Sequence, residues 1–286
     1  MNASVEDWSV EDWSVEDWSG KDRADENFPV GSALISARLR PEVHAFYAFA
    51  RNADDIADSP ILAPDDKIAR LDVMQAVLLG ERDDGSPSAT GLRTSLARTS
   101  VTSRHATDLL VAFRRDATKT RYATWEELLD YCRYSAMPVG RHVLDLHGEA
   151  PDTHPPSDAL CAALQVLNHL QDGSKDLAAL DRCYLPQNLL TRFGGSITDL
   201  RGAAETPGLR QTFNALLDEC DALNRTAMEL PRRTRDRRLR LEVAVIASLA
   251  RRLTARLRRN DPVRTRVKLT RTDAIFSLLG ALRFLP

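Results

Sequence analysis

The fold of this chain is decided by Asp54-Asp55-Ile56-Ala57-Asp58 and Asp172-Gly173-Ser174-Lys175-Asp176. Each stretch holds two aspartates four residues apart in otherwise apolar, helix-patterned sequence. On a helix, this spacing puts both carboxylates on one face, about 6 Å apart along the axis at ~1.5 Å per residue. Like charges so placed cost the helix only a few tenths of a kcal/mol, roughly. A chain that accepts this cost twice is expected to bind a cation, and a divalent metal is the natural candidate.

The first stretch ends a helix predicted at residues 42–58, whose polar side chains fall on one stripe. The stripe comprises Tyr47, Arg51, Asp54 and Asp58, spaced by four, three and four residues. A stripe of this kind is also typical of an exposed face joined by salt bridges. Because most of the remaining helix surface is apolar, we favour a stripe that faces an internal cavity.

The second stretch lies in a long helix predicted at residues 158–181. Asn168, Asp172 and Asp176 repeat every four residues, so the Asn168 amide extends the acidic pair by one turn. Its oxygen is a candidate third ligand. Arg182 and Tyr184 follow the helix and add a cation and a phenol.

The chemistry of these side chains favours magnesium and a diphosphate. The candidate ligands are all oxygen atoms, with no histidine or cysteine placed as a ligand, and magnesium prefers oxygen. Two facing helices that carry such pairs resemble metal sites in helix-bundle cores. Arg51, Lys175 and Arg182 supply positive charge for a diphosphate. Metal and cations together would promote departure of that diphosphate without a protein nucleophile, and apolar walls would surround the carbocation left behind.

Sequence patterns in the rest of the chain also predict helices. Further helices are predicted at residues 65–79, 107–117, 124–147, 206–228 and 239–258. Thr124 and Glu127 form a capping box at the start of the third of these. Pro138 inside it must release the Tyr134 carbonyl and bend the helix, either as a packing kink or to expose the carbonyl to a cavity. No stretch alternates strongly enough for a strand, and no glycine-rich nucleotide loop follows one, so we predict an all-α protein.

Length and composition favour one domain with a tail. The chain has 286 residues, 43% of them hydrophobic, enough for one substantial core. Residues 4–18 are three copies of Ser-Val-Glu-Asp-Trp, a period that matches neither helix nor strand. We predict a disordered acidic tail at 1–22, with a short binding motif as the alternative, and a helical domain at 23–286. Neither a signal peptide nor a spanning helix is predicted.

Charge and cysteine usage narrow the expected partners and location. Basic residues dominate 225–286, which suits anionic lipid or a diphosphate, although a solvated helix face is the commoner meaning. We expect the apolar end at 274–279 to pack against the domain, with peripheral membrane contact as the alternative. Four widely spaced cysteines indicate neither zinc nor disulfides. We expect a cytoplasmic protein with no nucleic-acid partner, and a peripheral position at the inner face of the cell membrane is the alternative.

Four motifs in order resemble the signatures of the squalene/phytoene synthase family. They are Tyr47 to Arg51 followed by Asp54 to Asp58, then Tyr131 to Gly140, then Asn168 to Asp176, and then Tyr184-Leu185-Pro186. The resemblance implies the class I isoprenoid synthase helical bundle with a central cavity. With the chemistry above, it implies magnesium binding by Asp54, Asp55, Asp58, Asp172 and Asp176. Diphosphate contacts would come from Arg51, Lys175, Arg182 and Tyr184, and the reaction cavity would be lined by Tyr47, Tyr131, Asn168 and Gln171.

Within the family, the chain is similar to the hydroxysqualene-forming branch of bacterial hopanoid pathways. The similarity rests on residues 26–30, residues 136–140 and Gln171, where condensing members usually carry arginine. It implies conversion of presqualene diphosphate and water to hydroxysqualene, because loss of that cation should weaken binding of a second prenyl diphosphate. The alternatives are head-to-head condensation of farnesyl diphosphate, or of geranylgeranyl diphosphate to phytoene, and a non-catalytic helical assembly protein. Gly173, a poor helix former, and the repeat tail depart from the family pattern.

Overall fold

The structure, a computed structural model, describes residues 35–284. Within that range the regular structure is helical, apart from one isolated bridge between Arg121 and Cys183. The α-helices are α1 Arg40–Asp58, α2 Pro64–Leu79, α3 Pro87–Arg98, α4 Arg104–Asp116, α5 Trp125–Ser135, α6 Met137–Leu146, α7 His154–Leu180, α8 Gln187–Arg192, α9 Pro207–Ala227, α10 Leu230–Arg233, α11 Arg237–Arg259 and α12 Arg271–Ala281. The all-α prediction is confirmed. The repeat tail and the segment 26–30 lie outside the described residues.

Internal contacts divide the chain into two compact units. The first comprises Met1–Lys119 with Asp145–Gly148, and the second Thr120–Leu144 with Glu149–Pro286. The first acidic stretch therefore belongs to the first unit and the second stretch to the second unit. The domain boundary expected at residue 22 lies outside the described residues and stays a prediction.

In the first unit, α1 packs against α2, α3 and α4 around an apolar core. The largest fully buried side chains there are Phe49, Ile56, Leu71, Met74, Leu92, Leu109 and Leu110. Lys67 of α2 donates to the Ala57 carbonyl at 2.9 Å, which places a cation on an orphan carbonyl of the last turn of α1. The core thus fixes the apolar face of α1 and leaves its acidic stripe on the other side.

In the second unit, α7 packs against α5, α9 and α11, so the helix that carries the second acidic stretch is central. It ends at Asp181, which has a positive φ of 48°. Arg121 holds that residue, donating to the Asp181 carboxylate at 2.8 Å and also to its carbonyl. A cation at a helix C-terminus interacts favourably with the carbonyl groups of the last turn, which have no hydrogen-bond donor within the helix.

The helix predicted at 124–147 is two helices rather than one bent helix. It is interrupted at Ala136, and Pro138 becomes the second residue of α6. Proline is tolerated there because the first turn of a helix has no internal acceptor for its missing N–H. The capping box predicted at the start of α5 is present only in part. Thr124 accepts from the Glu127 amide at 3.3 Å, whereas the Glu127 carboxylate accepts from the Ala123 amide and not from that of Thr124.

The C-terminal helix α12 presents its apolar side chains outward. Five large apolar residues are 47–58% exposed: Ile275, Phe276, Leu278 and Leu279 of α12, and Leu282 directly after it. The buried positions are instead Asp273, Ser277 and Ala281, one helical turn apart. Asp273 holds the helix onto α11 by accepting from Arg256 at 2.6 Å. The expectation that residues 274–279 pack against the domain is confirmed for the helix, which packs on α11, but polar and small side chains form the contact in place of the apolar ones.

The four cysteines are free thiols, with Cys132, Cys183 and Cys220 buried. Burial raises the pKa of Cys132 to about 12 and that of Cys161 to about 11. Among the described residues, no helix is both long enough and apolar enough to cross a membrane.

Candidate active site

The first acidic stretch is already balanced by an arginine of the same helix. Arg51 donates to Asp55 at 2.6 Å, one turn away, and lies 3.4 Å from an Asp54 oxygen. Burial alone would lower the pKa of the Arg51 guanidinium, but Asp54 and Asp55 outweigh it and raise the pKa above its ordinary value. Arg51 therefore stays charged, and two carboxylates share it.

The other predicted members of this stripe lie on the same face of α1. Tyr47 and Asp58 are half-buried, as are Arg51 and Asp54. Their neighbours on the opposite face, including Phe49 and Ile56, are fully buried in the core. The structure thus confirms the amphipathic arrangement of α1, with one polar stripe that spans three helical turns.

The second acidic stretch is held by a residue far away in sequence. Arg266 forms a bidentate pair with Asp172, with nitrogen–oxygen distances of 2.6 and 2.8 Å. The neighbouring Gln171 is buried and donates from its amide to the Val267 carbonyl at 2.5 Å. Two adjacent residues of α7 thus bind two adjacent residues of the segment that precedes α12.

The remaining predicted members of this stretch follow the four-residue repeat. Asn168, Asp172 and Asp176 are all half-buried, which places them on one stripe of α7, whereas Lys175 is exposed. At the end of the helix, the Arg182 backbone amide donates to the Asp176 carbonyl at 3.3 Å. The backbone therefore fixes Arg182 directly after the second acidic pair.

A cluster of aromatic rings lies beside this helix. Tyr184 stacks on His169 with ring centroids 3.5 Å apart, and it stacks on Tyr122 at 5.4 Å. Tyr131 is tilted against both tyrosines, at 5.3 and 5.4 Å, and its hydroxyl lies 3.4 Å from that of Tyr184. Arg182, which is buried, donates to the Tyr184 hydroxyl at 3.2 Å. The structure thus brings together three predicted site residues, Tyr131, Arg182 and Tyr184.

His169 is held neutral at the centre of this cluster. Burial lowers its pKa to about 3, and the positive charge of Arg182 acts in the same direction. The Gln165 side-chain amide nitrogen lies 3.3 Å from Nε2 of His169. An amide nitrogen can only donate, so in this orientation Nε2 accepts and the proton resides on Nδ1.

The position of Tyr184 follows from backbone pairing rather than from a helix. The Cys183 amide donates to the Thr120 carbonyl at 2.9 Å, and the Gln187 amide donates to the Tyr122 carbonyl at 2.9 Å. These bonds lay the segment after α7 alongside residues 120–123. Tyr184 is thereby placed against Tyr122 and, through the start of α5, against Tyr131.

The residues present suit a divalent cation with a bound diphosphate. Among residues 35–284, no group of three or more His, Cys, Asp or Glu side chains is placed to hold a metal ion without other ligands. Magnesium typically takes only one or two protein carboxylates and completes its shell with water and phosphate oxygens. Aspartates without histidine or thiolate neighbours match that preference, so the donor set fits the implied metal.

Three participants were not predicted from the sequence. Arg266 lies 94 residues from Asp172, and no local pattern signals their pairing. Tyr122 lies between the helices predicted at 107–117 and 124–147, and no sequence motif marks it. His169 stands inside the quoted motif beside Asn168, and an imidazole in an apolar stretch of helix was the signal that could have identified it.

Comparison with known proteins gives a consistent result. The squalene/phytoene synthase family matches residues 21–273. The chain is similar to the hydroxysqualene synthase of Sinorhizobium fredii, with 46% identity over 258 residues that cover 90% of this chain and 88% of that protein. It is similar to the hydroxysqualene synthase of Rhodopseudomonas palustris, with 46% identity over 262 residues that cover 92% and 89%.

A solved structure agrees with these relatives. The squalene synthase HpnC from Alicyclobacillus acidocaldarius is 34% identical and matches with a TM-score of 0.72, covering 83% of this chain and 90% of that one. The predicted isoprenoid synthase fold class is thereby confirmed. Enzymes of the matched family act on prenyl diphosphates and generally use a divalent metal. The chain belongs to the squalene/phytoene synthase family.

Proposed function

We propose that the protein converts presqualene diphosphate and water to hydroxysqualene and diphosphate with Mg²⁺, in squalene and hopanoid biosynthesis. The bond from carbon to the diphosphate oxygen breaks and leaves a carbocation, which rearranges. Water then forms the new carbon–oxygen bond, and its surplus proton leaves with the diphosphate. The reaction is redox-neutral, so no nicotinamide is required.

One observation carries this proposal: the chain is similar to hydroxysqualene synthases at 46% identity over about nine-tenths of both partners. The environment of Gln171 supports it. Its buried amide is bound to the Val267 carbonyl, so this position offers no cation to a second diphosphate. An enzyme that accepts one diphosphate per turnover does not need a positive charge at this position.

We assign the roles by unit. In the first unit Asp54, Asp55 and Asp58 are proposed metal ligands, and Arg51 contacts the diphosphate. In the second unit Asp172 and Asp176 are proposed metal ligands, with Lys175 and Arg182 as diphosphate contacts. Mg²⁺ would supply the charge that stabilises the departing diphosphate. Arg51 is held charged by its own aspartates and is therefore ready to act as a fixed cation.

The aromatic cluster of the second unit suits a carbocation. The faces of Tyr122, Tyr131 and Tyr184 carry the negative part of the ring quadrupole, which attracts a cation. His169 would oppose that role if it were protonated. Because its pKa is about 3, the imidazole is neutral at physiological pH and adds no positive charge to the cluster.

The experiment is product analysis by mass spectrometry with Mg²⁺ and no NADPH. Presqualene diphosphate and farnesyl diphosphate are supplied in separate reactions. Hydroxysqualene from presqualene diphosphate, with one ¹⁸O incorporated from labelled water, is the expected result. Consumption of farnesyl diphosphate would instead identify a condensing synthase, and no turnover of either substrate or of geranylgeranyl diphosphate would favour the assembly-protein alternative.

We further propose that the protein works at the inner face of the cell membrane, with α12 as its contact. The five exposed apolar side chains of its outer face lie among arginines. Arg252 of α11 lies over the Phe276 ring at 5.4 Å, and the exposed Arg251 is next to it in sequence. Arg271 at the start of α12 and Arg283 just after its end are also exposed. Apolar side chains flanked by basic ones are typical of helices that lie in an anionic bilayer surface. A thirty-carbon substrate would reach the enzyme from that bilayer.

Liposome cosedimentation tests this contact. The double variant Phe276→Ser/Leu279→Ser is expected to weaken binding to vesicles that contain phosphatidylglycerol by about thirtyfold, since the two side chains together contribute on the order of 2 kcal/mol. Ile61→Ser is the matched control, because Ile61 is a highly exposed apolar residue of the first unit. Equal binding by all three proteins would reject the membrane contact, and a dimer in solution that the double variant abolishes would identify a second copy as the occupant.

A further inference from the structure

Residues 261–270 connect α11 to α12 without regular helix, and we call them the strap. Each end is fastened by its own carboxylate. Asp261 accepts from the backbone amides of Val263 and Arg264 at 2.8 and 3.1 Å. At the other end, Asp273 accepts from the Thr270 amide at 2.8 Å and caps α12. Neither fastening involves a proposed metal ligand.

The middle of the strap is held differently. Arg266 binds both oxygens of Asp172, and the Val267 carbonyl accepts from the Gln171 amide. Val267 is buried, whereas the Arg266 side chain is 36% exposed. The middle therefore depends on two adjacent residues of α7, one of which is a proposed metal ligand.

We propose that the strap is a latch on the second acidic motif: Arg266 occupies Asp172 until a divalent cation displaces it, and Gln171 retains the strap when Arg266 leaves. Gln171 is then a positioning residue that acts on the strap. The inference rests on the proposed function only in taking Asp172 as a metal ligand. It holds for any prenyl diphosphate that the enzyme uses.

The geometry makes the two cations competitors. The guanidinium uses both carboxylate oxygens, at 2.6 and 2.8 Å. Magnesium needs one of these oxygens at about 2.0–2.1 Å, with its water shell around it. A guanidinium and a dication on the same oxygens also repel each other. Binding of the metal therefore requires Arg266 to withdraw.

The exposure of Arg266 makes this withdrawal feasible. A fully buried charge left without its partner is strongly destabilising, whereas an exposed one is resolvated by water. The neutral amide at position 171 matters for the same reason. An arginine there would place a second cation next to Arg266 and weaken the latch. A neutral residue at position 171 is thus compatible with the ion pair that Arg266 forms with the neighbouring Asp172.

Metal titration tests the latch directly. Mn²⁺ binding, followed by the electron paramagnetic resonance of the free ion, is compared in the native protein, Arg266→Gln and Arg264→Gln, with inorganic pyrophosphate present. Arg264→Gln removes the same charge two residues away without touching Asp172. We expect Arg266→Gln to bind Mn²⁺ about fivefold more tightly, because the metal no longer has to break a partly exposed bidentate ion pair. The affinity of Arg264→Gln for Mn²⁺ should stay within about twofold of that of the native protein. Equal or weaker binding by Arg266→Gln would overturn the inference.

Reciprocity supplies a second readout that does not use affinity. If Arg266 weakens metal binding by some factor, the metal must weaken the Arg266 attachment by the same factor. Amide hydrogen exchange at Thr265 and Arg266, which precede the attachment that Gln171 retains at Val267, should therefore accelerate by about that factor when Mn²⁺ and pyrophosphate are added. In Arg266→Gln it should be fast from the start and indifferent to metal. Unchanged exchange in the native protein at saturating Mn²⁺ would contradict the latch.

Asp172→Asn separates this inference from the proposed function. If the native protein and Asp172→Asn bind Mn²⁺ equally, the metal assignment of the proposed function is wrong. If they differ while Arg266→Gln matches the native protein, the metal assignment stands and the latch is wrong.

Discussion

Each acidic motif has its charge balanced by an arginine of its own unit. Arg51 and Asp55 are one turn apart on α1, whereas Arg266 reaches Asp172 from the strap. Without these arginines, aspartates four residues apart would disfavour their helices. The same arginines hold the carboxylates in defined orientations before any cation arrives.

Substitution of a motif aspartate is expected to abolish most turnover without unfolding the protein. Asp54→Asn and Asp172→Asn should each lower kcat/KM by at least about a hundredfold, because a metal ligand contributes several kcal/mol to charge stabilisation in the transition state. Steady-state kinetics at saturating Mg²⁺ and far-ultraviolet circular dichroism check the two parts. Asp218→Asn, a change at an exposed aspartate paired with Arg258, is the control and should be neutral.

Neutral His169 makes stability depend on pH in a defined window. The folded state does not protonate it until about pH 3, whereas the unfolded chain takes up the proton near its ordinary value of 6.5. Between these values the unfolded state binds more protons, so the free energy of unfolding falls as pH falls, by about 1 kcal/mol per unit. Urea unfolding at pH 7, 6 and 5 should show a shallower dependence in His169→Phe, which keeps the ring stack. Parallel slopes for the two proteins would reject a neutral buried imidazole.

At the residue scale, the sequence identified the kinds of side chain in the site better than it identified which of them contact each other. Spacing on one helix predicted that Arg51 shares a stripe with aspartates, because neighbours three and four residues apart meet on a helix. It could not predict that Arg266 meets Asp172, since only the path of the chain between α7 and α12 decides that contact. Long-range pairing depends on tertiary structure, which no local pattern encodes.

At the element scale, two glycines that both lie inside helices differ in how tightly their surroundings pack. A Cβ on Gly173 would lie 3.5 Å from Leu200, which is ordinary van der Waals contact. A Cβ on Gly140 would come within 2.7 Å of the Cys161 sulfur and closer still to the Ser157 hydroxyl. Gly140 therefore allows α6 to approach α7, whereas Gly173 is not required by packing.

Alanine substitutions at these glycines are expected to change stability in opposite directions. Gly173→Ala should raise the free energy of unfolding by about 0.5–1 kcal/mol, because alanine loses less conformational freedom in a helix. Gly140→Ala should lower it by about 1–3 kcal/mol through overpacking. Urea denaturation of both variants beside the native protein measures the difference. A stabilising Gly140→Ala would show that Ser157 and Cys161 move aside at little cost.

Helices with a strong apolar period were predicted within a few residues of their ends. The helices at 42–58, 65–79 and 239–258 correspond to α1, α2 and α11. One of the helices that were not predicted is α3, which is rich in Ser, Thr and Gly and follows a turn-like segment. It forms because Ser86 accepts from the Ala89 amide at 3.2 Å and Leu92 is buried in the core, so capping and packing override weak propensity.

At the scale of the whole molecule, the repeat tail is expected to be dispensable for catalysis. The family match begins at residue 21, after the three pentapeptides. Deletion of residues 2–20 should leave kcat/KM within about twofold and the urea midpoint unchanged, since an acidic segment poor in aliphatic side chains adds little to a core. Kinetics and denaturation of the truncated protein test this. A large loss of activity would assign the tail a role in substrate handling.

The global architecture was more predictable than its surface. Uniform helical periodicity and the absence of strand patterns were sufficient for the all-α class, and motif order was sufficient for the family. The orientation of α12 was not predictable, because which face of a helix is covered depends on the partner that packs against it. Asp273 forms the buried side through its polar bond to Arg256 of α11, and the small side chain of Ser277 is buried one turn later, against the usual apolar preference.

The buried thiols described above have a practical consequence for spectroscopy. At pH 7, a thiol whose pKa is about 11, as for Cys161, is in the reactive thiolate form in only about one molecule in ten thousand. A cysteine introduced at exposed Thr265 would be thiolate in about one molecule in thirty at its ordinary pKa. Maleimide dyes would therefore attach to the new site first, with all four native cysteines left in place. The protein is in effect already prepared for single-site fluorescent labelling, and the strap can be watched in real time as metal is added.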